Sequence, residues 1–128
     1  MERSLIFLKK DFSETEHIQE FLEILKKLNL KIENDFYFSW DLDDVKNFYC
    51  WGYLYNIEML KDYWCEREHH VFFVKGKNAI KKAQQIKKFF RKKYAINCHE
   101  MYTLMHCPDS LNDYRREAAI IISKKVVR

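Results

Sequence analysis

Short apolar runs alternate with longer amphipathic stretches along this chain, and this alternation limits the folds that it can adopt. Residues 5–8 form a continuous apolar run, which is typical of a central strand covered on both faces. Residues 31–40 alternate between apolar and polar side chains and predict a second strand. Residues 70–74 predict a buried third strand that Gly76 ends, and residues 100–105 predict a fourth.

Five helices are predicted around these strands. The pattern Ser13-x-x-Glu16 is a capping box that opens the first helix, and Asp41 caps the second. Residues 50–66 predict the second arm of a helical hairpin. Asn78 and Ser110 are candidate N-caps of the last two helices, where apolar residues recur at intervals of three and four. These apolar residues are Ala79, Ile80, Ala83, Ile86 and Phe90 in one helix and Leu111, Tyr114, Ala118 and Ile121 in the other.

The predicted order of elements is β-α-β-α-α-β-α-β-α. Strands and helices that alternate and return to one sheet in a short chain are typical of the α+β class. We therefore predict a ferredoxin-like two-layer sandwich, in which helices cover an antiparallel sheet. With 128 residues, of which 48% are hydrophobic, the chain is expected to form a single domain, 1–128, around one core.

Several protein classes are excluded by composition. The chain has no run of 18 apolar residues, so no membrane span is predicted. Its first residues enter a strand directly and lack the pattern of a signal peptide. The spacing of the four cysteines (Cys50, Cys65, Cys98 and Cys107) matches no disulfide framework, which predicts reduced thiols and a cytoplasmic location.

The stretch Met105-His106-Cys107-Pro108-Asp109-Ser110 joins the last predicted strand to the last helix. A histidine just before a helix N-terminus meets exposed N–H groups and the positive end of the helix dipole, which suits chemistry on an anion. Glu117 follows on the flank of the apolar face of that helix. His106 and Glu117 are therefore candidates for a nucleophile and its orienting carboxylate. The alternative is a half-buried histidine with a structural role.

A second stretch, Glu2-Arg3-Ser4-Leu5-Ile6-Phe7-Leu8-Lys9-Lys10-Asp11, is an apolar strand that ends in a lysine and an aspartate. With the turn at His106, it resembles the nucleoside-diphosphate kinase family, whose opening strand is E-R-T-hydrophobic-K-P-D. The turn from His106 to Ser110, with Glu117, is similar to the family's H-G-S-D-S or H-G-P-D-S and the S-A-x-x-E that follows it. The resemblance runs from Glu2 to about Ile122, and it implies the same ferredoxin-like fold with a helical hairpin after the second strand.

The resemblance also implies an activity. A nucleoside triphosphate would phosphorylate His106, with Mg²⁺ between its phosphates, and a nucleoside diphosphate would then collect the phosphoryl group. Glu117 would orient the histidine. The residues that would contact the nucleotide or its phosphates are Lys9, Tyr49, Arg91 and Thr103, of which Arg91 would stand in for a family arginine and Thr103 for an asparagine.

Three departures from the family pattern predict weak or lost activity. Cys107 replaces a glycine, and a side chain there is expected to crowd the approaching phosphate. Gln84 replaces an arginine that reaches the phosphates. Most of the family's loop over the nucleotide is missing after Phe90. Each lost phosphate contact is worth about 10²–10³ in rate, so two of them predict a loss of about 10⁴. Because that loop also builds trimer contacts in the family, we expect a monomer or dimer instead of a hexamer.

Residues 75–93 carry nine basic side chains and no acidic one. They predict either a solvated helix face or a footprint for a polyanion such as RNA or a ribonucleoprotein. This second possibility is the alternative function, a binding module that has lost catalysis. The residues proposed for this basic face are Lys81, Lys82, Lys88, Lys92 and Lys93.

A metal site is a third interpretation of the sequence. Cys98 and His99 precede a predicted strand that His106 and Cys107 follow, and Cys65 lies near His69 and His70. These spacings do not match a structural zinc site. We therefore predict no metal held by protein side chains, and Mg²⁺ only with the nucleotide.

Overall fold

The computed structural model describes residues 1–9, 17–49, 65, 67–94 and 105–126, apart from the side chain of Tyr49. These residues contain four strands and four helices that alternate along the chain. The strands are β1 (Glu2–Lys9), β2 (Lys31–Ser39), β3 (Glu68–Gly76) and β4 (Met105–His106). The helices are α1 (His17–Lys27), α2 (Leu42–Tyr49), α3 (Ala79–Tyr94) and α4 (Leu111–Ser123). The predicted capping box at Ser13, the helix over 50–64 and the strand over 100–104 lie outside the described residues.

The four strands form one antiparallel sheet in the order β2-β3-β1-β4. This order and the alternating helices confirm the predicted α+β, ferredoxin-like fold. In the pairing of β1 with β4, Phe7 lies directly opposite His106 and Leu8 opposite Met105. Residues directly opposite each other in an antiparallel pair present their side chains on the same face. The register therefore places His106 on the Phe7 face of the sheet.

Helices cover both faces of this sheet, so that α2 and α4 add a further layer to the predicted sandwich. On the Phe7 face, α2 and α4 bury an aromatic-rich first core. On the opposite face, α1 and α3 bury a second core. The first core includes Leu5, Phe7, Phe38, Trp40, Phe48, Phe73 and Ile121. The second includes Ile6, Leu8, Phe21, Phe72, Ile86, Phe90, Met105 and Cys107.

Polar side chains begin the helices as predicted at two positions. The N–H of Asp44 donates to Asp41 Oδ1 and the N–H of Asp41 to Asp44 Oδ2, which makes a reciprocal cap on α2. Ser110 is the N-cap of α4, where its hydroxyl accepts from the N–H of Asp113. The α3 helix differs from the other two in the origin of its cap. The N–H of Ile80 in its first turn donates to Glu2 Oε1, at the distant start of β1.

Close packing fixes two connections. A Cβ atom on Gly76 would lie 2.8 Å from the carbonyl oxygen of Asn29, so a side chain there would push against the turn between α1 and β2. After α4, the N–H of Val126 donates to the carbonyl of Tyr37, and Lys125 bridges to Phe38. The residues after α4 therefore pair with the outer edge of β2.

One predicted core position is wrong. Leu111 was expected on the buried face of α4, but its side chain is 43% exposed because it lies in the first turn, beyond the reach of the sheet. No described helix has the length and apolar character needed to cross a bilayer.

Candidate active site

His106 and Glu117 form a short hydrogen-bonded pair. The Nε2 atom of His106 lies 2.6 Å from Glu117 Oε1, and both side chains are largely buried. The geometry arises because His106 ends β4 while Glu117 lies nearly two turns into α4, on the side that faces the sheet. A carboxylate that accepts the Nε2 proton leaves the lone pair of the imidazole on Nδ1. The two residues paired in the sequence prediction are thus in contact, and Nε2 is the ring nitrogen that faces the carboxylate.

Two aromatic rings hold the imidazole of His106. The Phe7 ring lies 5.1 Å from it between centroids, and the Phe48 ring lies 5.0 Å from it at a steep angle. Phe7 comes from β1 and Phe48 from α2, so three elements fix one ring. Aromatic packing of this kind excludes water and restricts the rotation of the imidazole.

Arg116 lies beside this group of side chains. One of its guanidinium nitrogens donates to the carbonyl of Phe48, and the other lies 3.8 Å from Glu117 Oε2. The same guanidinium lies 5.9 Å from the centre of the Phe48 ring. Glu117 is only 4% exposed, and a buried carboxylate is stabilised when a cation and a donor approach its two oxygens.

Gln84 of α3 holds the turn that follows His106. Its Nε2 donates to the carbonyl of Pro108 at 2.9 Å and to Asp109 Oδ1 at 2.8 Å, and it lies 3.5 Å from the carbonyl of Cys107. An amide nitrogen has two hydrogens, and both are used here. The residue that stands at the family's arginine position therefore binds the protein's own turn.

The expected crowding by Cys107 is wrong. Its side chain is buried in the second core, on the face of the sheet opposite to the His106 ring. Burial raises the pKa of this thiol to about 12, although the charges of Lys87 and Arg91 act in the other direction. The thiol is thus a protonated core group and does not occupy the space in front of the imidazole.

Lys9 lies on the same face of the sheet as His106. It is two residues beyond Phe7 on β1, and side chains two residues apart point to the same face about 7 Å apart. The strand end at Lys9 pairs with His69, which is buried among the rings of Phe7, Phe38 and Trp40. The register therefore places the side chain of Lys9 on the face of the first core, which is also the face of the candidate nucleophile.

The remaining predicted nucleotide contacts are described in part. Arg91 reaches β4 from α3, with one nitrogen 3.4 Å from the carbonyl of Met105, so it approaches the strand from the face opposite to the His106 ring. Tyr49 closes α2, but its side chain lies outside the described residues, as does Thr103.

The proposed basic face divides into two groups. Lys81, Lys88 and Lys92 are exposed on α3. Lys82 instead donates to the carbonyl of Leu28, and Lys93 forms an ion pair with Glu20 of α1 at 2.8 Å. Lys82 and Lys93 thus each bind a neighbouring element of the same chain, and their part in a docking surface stays a prediction.

The metal interpretation gains no support in the described residues, where no group of three His, Cys, Asp or Glu side chains is placed to hold an ion. His106 is engaged by Glu117, and His70 Nε2 lies 2.7 Å from Asp35 on the other face of the sheet. Cys98 and His99 lie outside the described residues.

Sequence reasoning missed the contacts made by Phe7, Phe48, Arg116 and Gln84. The register of Phe7 with His106 and the approach of α2 to α4 are tertiary features, and no local spacing encodes them. A weak signal was present for Arg116, because a basic residue adjacent to a buried acid is a candidate partner for it.

The structure of this chain is similar to solved structures of nucleoside diphosphate kinases. The enzyme from Aquifex aeolicus matches with a TM-score of 0.72 at 20% identity, over 98% of this chain and 99% of that one. The enzyme from Encephalitozoon cuniculi matches with a TM-score of 0.75 at 16% identity, over 100% and 95% of the two chains. A nucleoside diphosphate kinase family protein from Babesia bovis matches with a TM-score of 0.64 at 20% identity, over 100% and 94%.

Sequence comparisons give no such match. No family model matches this chain, and no curated protein sequence matches it. At identities of 16–20%, the structural likeness establishes the fold.

Proposed function

We propose that this chain, which has the fold of nucleoside diphosphate kinases, transfers the terminal phosphoryl group of a nucleoside triphosphate to His106 and from there to a nucleoside diphosphate. The observation that carries the proposal is the 2.6 Å contact between His106 Nε2 and Glu117 Oε1 in an aromatic enclosure. Coverage of the structural relatives over nearly their full length supports it.

The chemistry follows from the tautomer that Glu117 selects. The Nδ1 lone pair attacks the terminal phosphorus, a P–N bond forms, and the bond to the bridging oxygen breaks, so that the nucleoside diphosphate leaves with that oxygen. The Nε2 proton remains shared with Glu117, which balances the positive charge that develops on the ring. In the second half-reaction, a terminal oxygen of the acceptor diphosphate displaces His106 from the same phosphorus.

Lys9 is our candidate for a phosphate-binding cation, because the register of β1 places it on the His106 face. Tyr49, Arg91 and Thr103 remain proposed nucleotide contacts. Arg91 approaches β4 from the face opposite to the His106 ring, so its side chain would have to turn towards the phosphates. Mg²⁺ would enter with the nucleotide and neutralise charge between its phosphates.

We expect both autophosphorylation and turnover to be slow. Gln84 is engaged by Pro108 and Asp109, so it supplies no charge to the phosphates. One missing charged contact costs about 2–4 kcal/mol of transition-state stabilisation, which slows both half-reactions. Retention of His106, Glu117 and Lys9 favours slow autophosphorylation.

The test is incubation of the purified chain with γ-labelled ATP and Mg²⁺, followed by separation under alkaline conditions. Acid-labile, alkali-stable label is expected in the wild type, absent in His106→Ala, and at least about tenfold slower in Glu117→Gln. Chasing the labelled protein with a diphosphate acceptor measures turnover. A folded wild type that takes no label would refute the proposal.

For the whole protein, we propose a single cytoplasmic domain that is a monomer or dimer. The loop missing after Phe90 supports a monomer or dimer. The free, buried thiol of Cys107 supports a cytoplasmic location. Light scattering after gel filtration measures the mass, and a hexamer would contradict it.

A second candidate function is binding of RNA through the exposed part of α3. Lys81, Lys88 and Lys92 recur at intervals of seven and four residues along one exposed side of α3, and that helix contains no acidic residue. Such a row attracts a phosphate backbone with an affinity that falls steeply with salt.

Fluorescence anisotropy with a labelled single-stranded RNA tests this surface. The double variant Lys88→Glu/Lys92→Glu should bind at least tenfold more weakly. The double variant Lys26→Glu/Lys46→Glu changes the net charge equally at exposed positions of α1 and α2 and serves as the matched control. Equal loss in both variants would indicate net charge alone, and the surface would then be rejected.

A further inference from the structure

We infer that Arg116 is a positioning residue for His106: it ties the end of α2 to the Glu117 carboxylate and thereby fixes the imidazole from two sides. This inference rests on the proposed function of His106, and it assigns a role to a side chain that the phosphoryl transfer itself does not use.

Two sets of contacts connect Arg116 to His106, one through Glu117 and one through Phe48. Arg116 donates through one nitrogen to the carbonyls of Phe48 and Asn47 at the end of α2. Its other terminal nitrogen lies 3.8 Å from Glu117 Oε2, while Glu117 Oε1 contacts His106 at 2.6 Å. The Phe48 ring, 5.9 Å from the guanidinium, lies 5.0 Å from the His106 ring. Both neighbours of Arg116, the Glu117 carboxylate and the Phe48 ring, thus contact the imidazole of His106.

The planar guanidinium suits this position because it can donate to backbone carbonyls along one edge while it faces a carboxylate along another. The last carbonyls of a helix have no partner within the helix and carry partial negative charge, so a cation is favourable there. At 3.8 Å the contact with Glu117 is an ion pair and is too long for a direct hydrogen bond. The carboxylate of Asp113 also lies 3.8 Å from Arg116, so two carboxylates, those of Asp113 and Glu117, orient the guanidinium.

The consequence is control of geometry. Without Arg116, the Glu117 carboxylate can rotate and α2 can move relative to α4, so the Nδ1 lone pair is held less firmly along the axis of the incoming phosphoryl group. Small losses of alignment reduce the rates of such displacements strongly. A purely structural arginine would change stability and leave the His106 ring as it is.

The experiment compares Arg116→Ala with Arg115→Ala, since Arg115 is the exposed neighbour on the same turn. Two quantities are measured on the full chain: the rate of label incorporation as a function of ATP concentration, and the ¹⁵N NMR signals of the His106 ring. We expect R116A to lower the maximal rate about tenfold while the half-saturating ATP concentration stays within about twofold. The Nε2–H signal of His106 should shift or broaden in R116A and stay unchanged in R115A.

A third variant, Arg116→Lys, keeps the charge and one donor and should recover most of the rate. If R116A does not fold, Arg116→Gln, which keeps a donor for the Phe48 carbonyl, is judged by the same two measurements. Wild-type rate and ring signals in the folded variant would overturn the inference. If the wild type takes no label, the proposed function fails, and the ring signals alone decide: their constancy in R116A would overturn the role of Arg116.

Discussion

Gln84 is the residue at which this site departs most clearly from the family it resembles. Both hydrogens of its amide are donated to the turn after His106, to Pro108 O and Asp109 Oδ1. Where the resemblance implies an arginine that reaches the phosphates, this chain has a glutamine that binds its own turn. This clasp stabilises the segment that positions His106.

The clasp predicts the effect of Gln84→Glu. A carboxylate cannot donate to Pro108 O, and it repels Asp109, so the variant should lose about 1–3 kcal/mol of unfolding free energy. Urea denaturation at pH 7 measures the loss. The control is Gln85→Glu, an exposed position on the same helix, which should change stability by less than about 0.5 kcal/mol. Equal effects in the two variants would show that the clasp contributes nothing.

Burial of the Cys107 thiol predicts low reactivity. Because its pKa is raised to about 12, its thiolate fraction at pH 8 is on the order of 10³-fold below that of an ordinary cysteine, and alkylation should slow accordingly. Peptide mass mapping after iodoacetamide treatment of native and urea-unfolded protein measures this for Cys107 alone. Rapid alkylation of Cys107 in the native state would contradict the burial.

The raised pKa of Cys107 also predicts how the free energy of unfolding depends on pH. The folded chain holds the Cys107 proton up to about pH 12, whereas the unfolded chain releases it near the ordinary value of 9.0. Unfolding therefore releases a proton between these values, and this contribution to stability, complete below pH 9, is lost as the pH rises. Cys107→Ala should weaken the decline of stability between pH 9 and pH 10.5.

For single residues, the sequence predicted the contact between His106 and Glu117 but not its surroundings. His106 and Glu117 were recognisable because a turn and a helix place them at a fixed spacing. Phe7 and Arg116 were not, because their contacts depend on the pairing of β1 with β4 and on the packing of α2 against α4.

At the scale of elements, local and distant caps behave differently. The cap of α2 lies within four residues, Asp41 to Asp44, and was predictable from the sequence. The first turn of α3 is capped by Glu2, 78 residues away, and only the pairing of β1 with β3 brings the two together. Strands and helices were thus predicted well where their signals are local.

This distant cap predicts that Glu2→Ala destabilises the protein. The carboxylate accepts from the N–H of Ile80 at 2.7 Å and lies at the positive end of the α3 dipole. Its loss should cost about 1 kcal/mol of unfolding free energy, measured by urea denaturation. Glu23→Ala, at an exposed position of α1, is the control, and a matching loss there would attribute the effect to charge in general.

For the molecule as a whole, the sheet has helices on both faces, and its β2 edge is partly covered by the residues after α4. Composition predicted one core, whereas the structure has two, separated by the sheet. The continuous apolar run in β1 already indicated a strand buried on both sides. The pairing of residues 124–126 with β2 was not predictable, because a short polar segment carries no periodicity.

This pairing predicts the behaviour of Val126→Pro. Proline has no N–H to donate to the carbonyl of Tyr37, so the segment should detach from β2. Light scattering at increasing protein concentration should then show larger assemblies than the wild type forms. Lys125→Ala keeps every backbone hydrogen bond and should remain like the wild type; association of both variants would point to another cause.

The covered edge has a consequence for handling the protein. An open strand edge is a template on which another chain can add a strand, and repeated addition leads to insoluble fibres. Here three residues after the last helix act as a gatekeeper at the outer edge of β2. An affinity tag or fusion partner joined close behind these residues would disturb their pairing with β2. A tag is therefore best placed elsewhere, or separated from residues 124–126 by a flexible spacer.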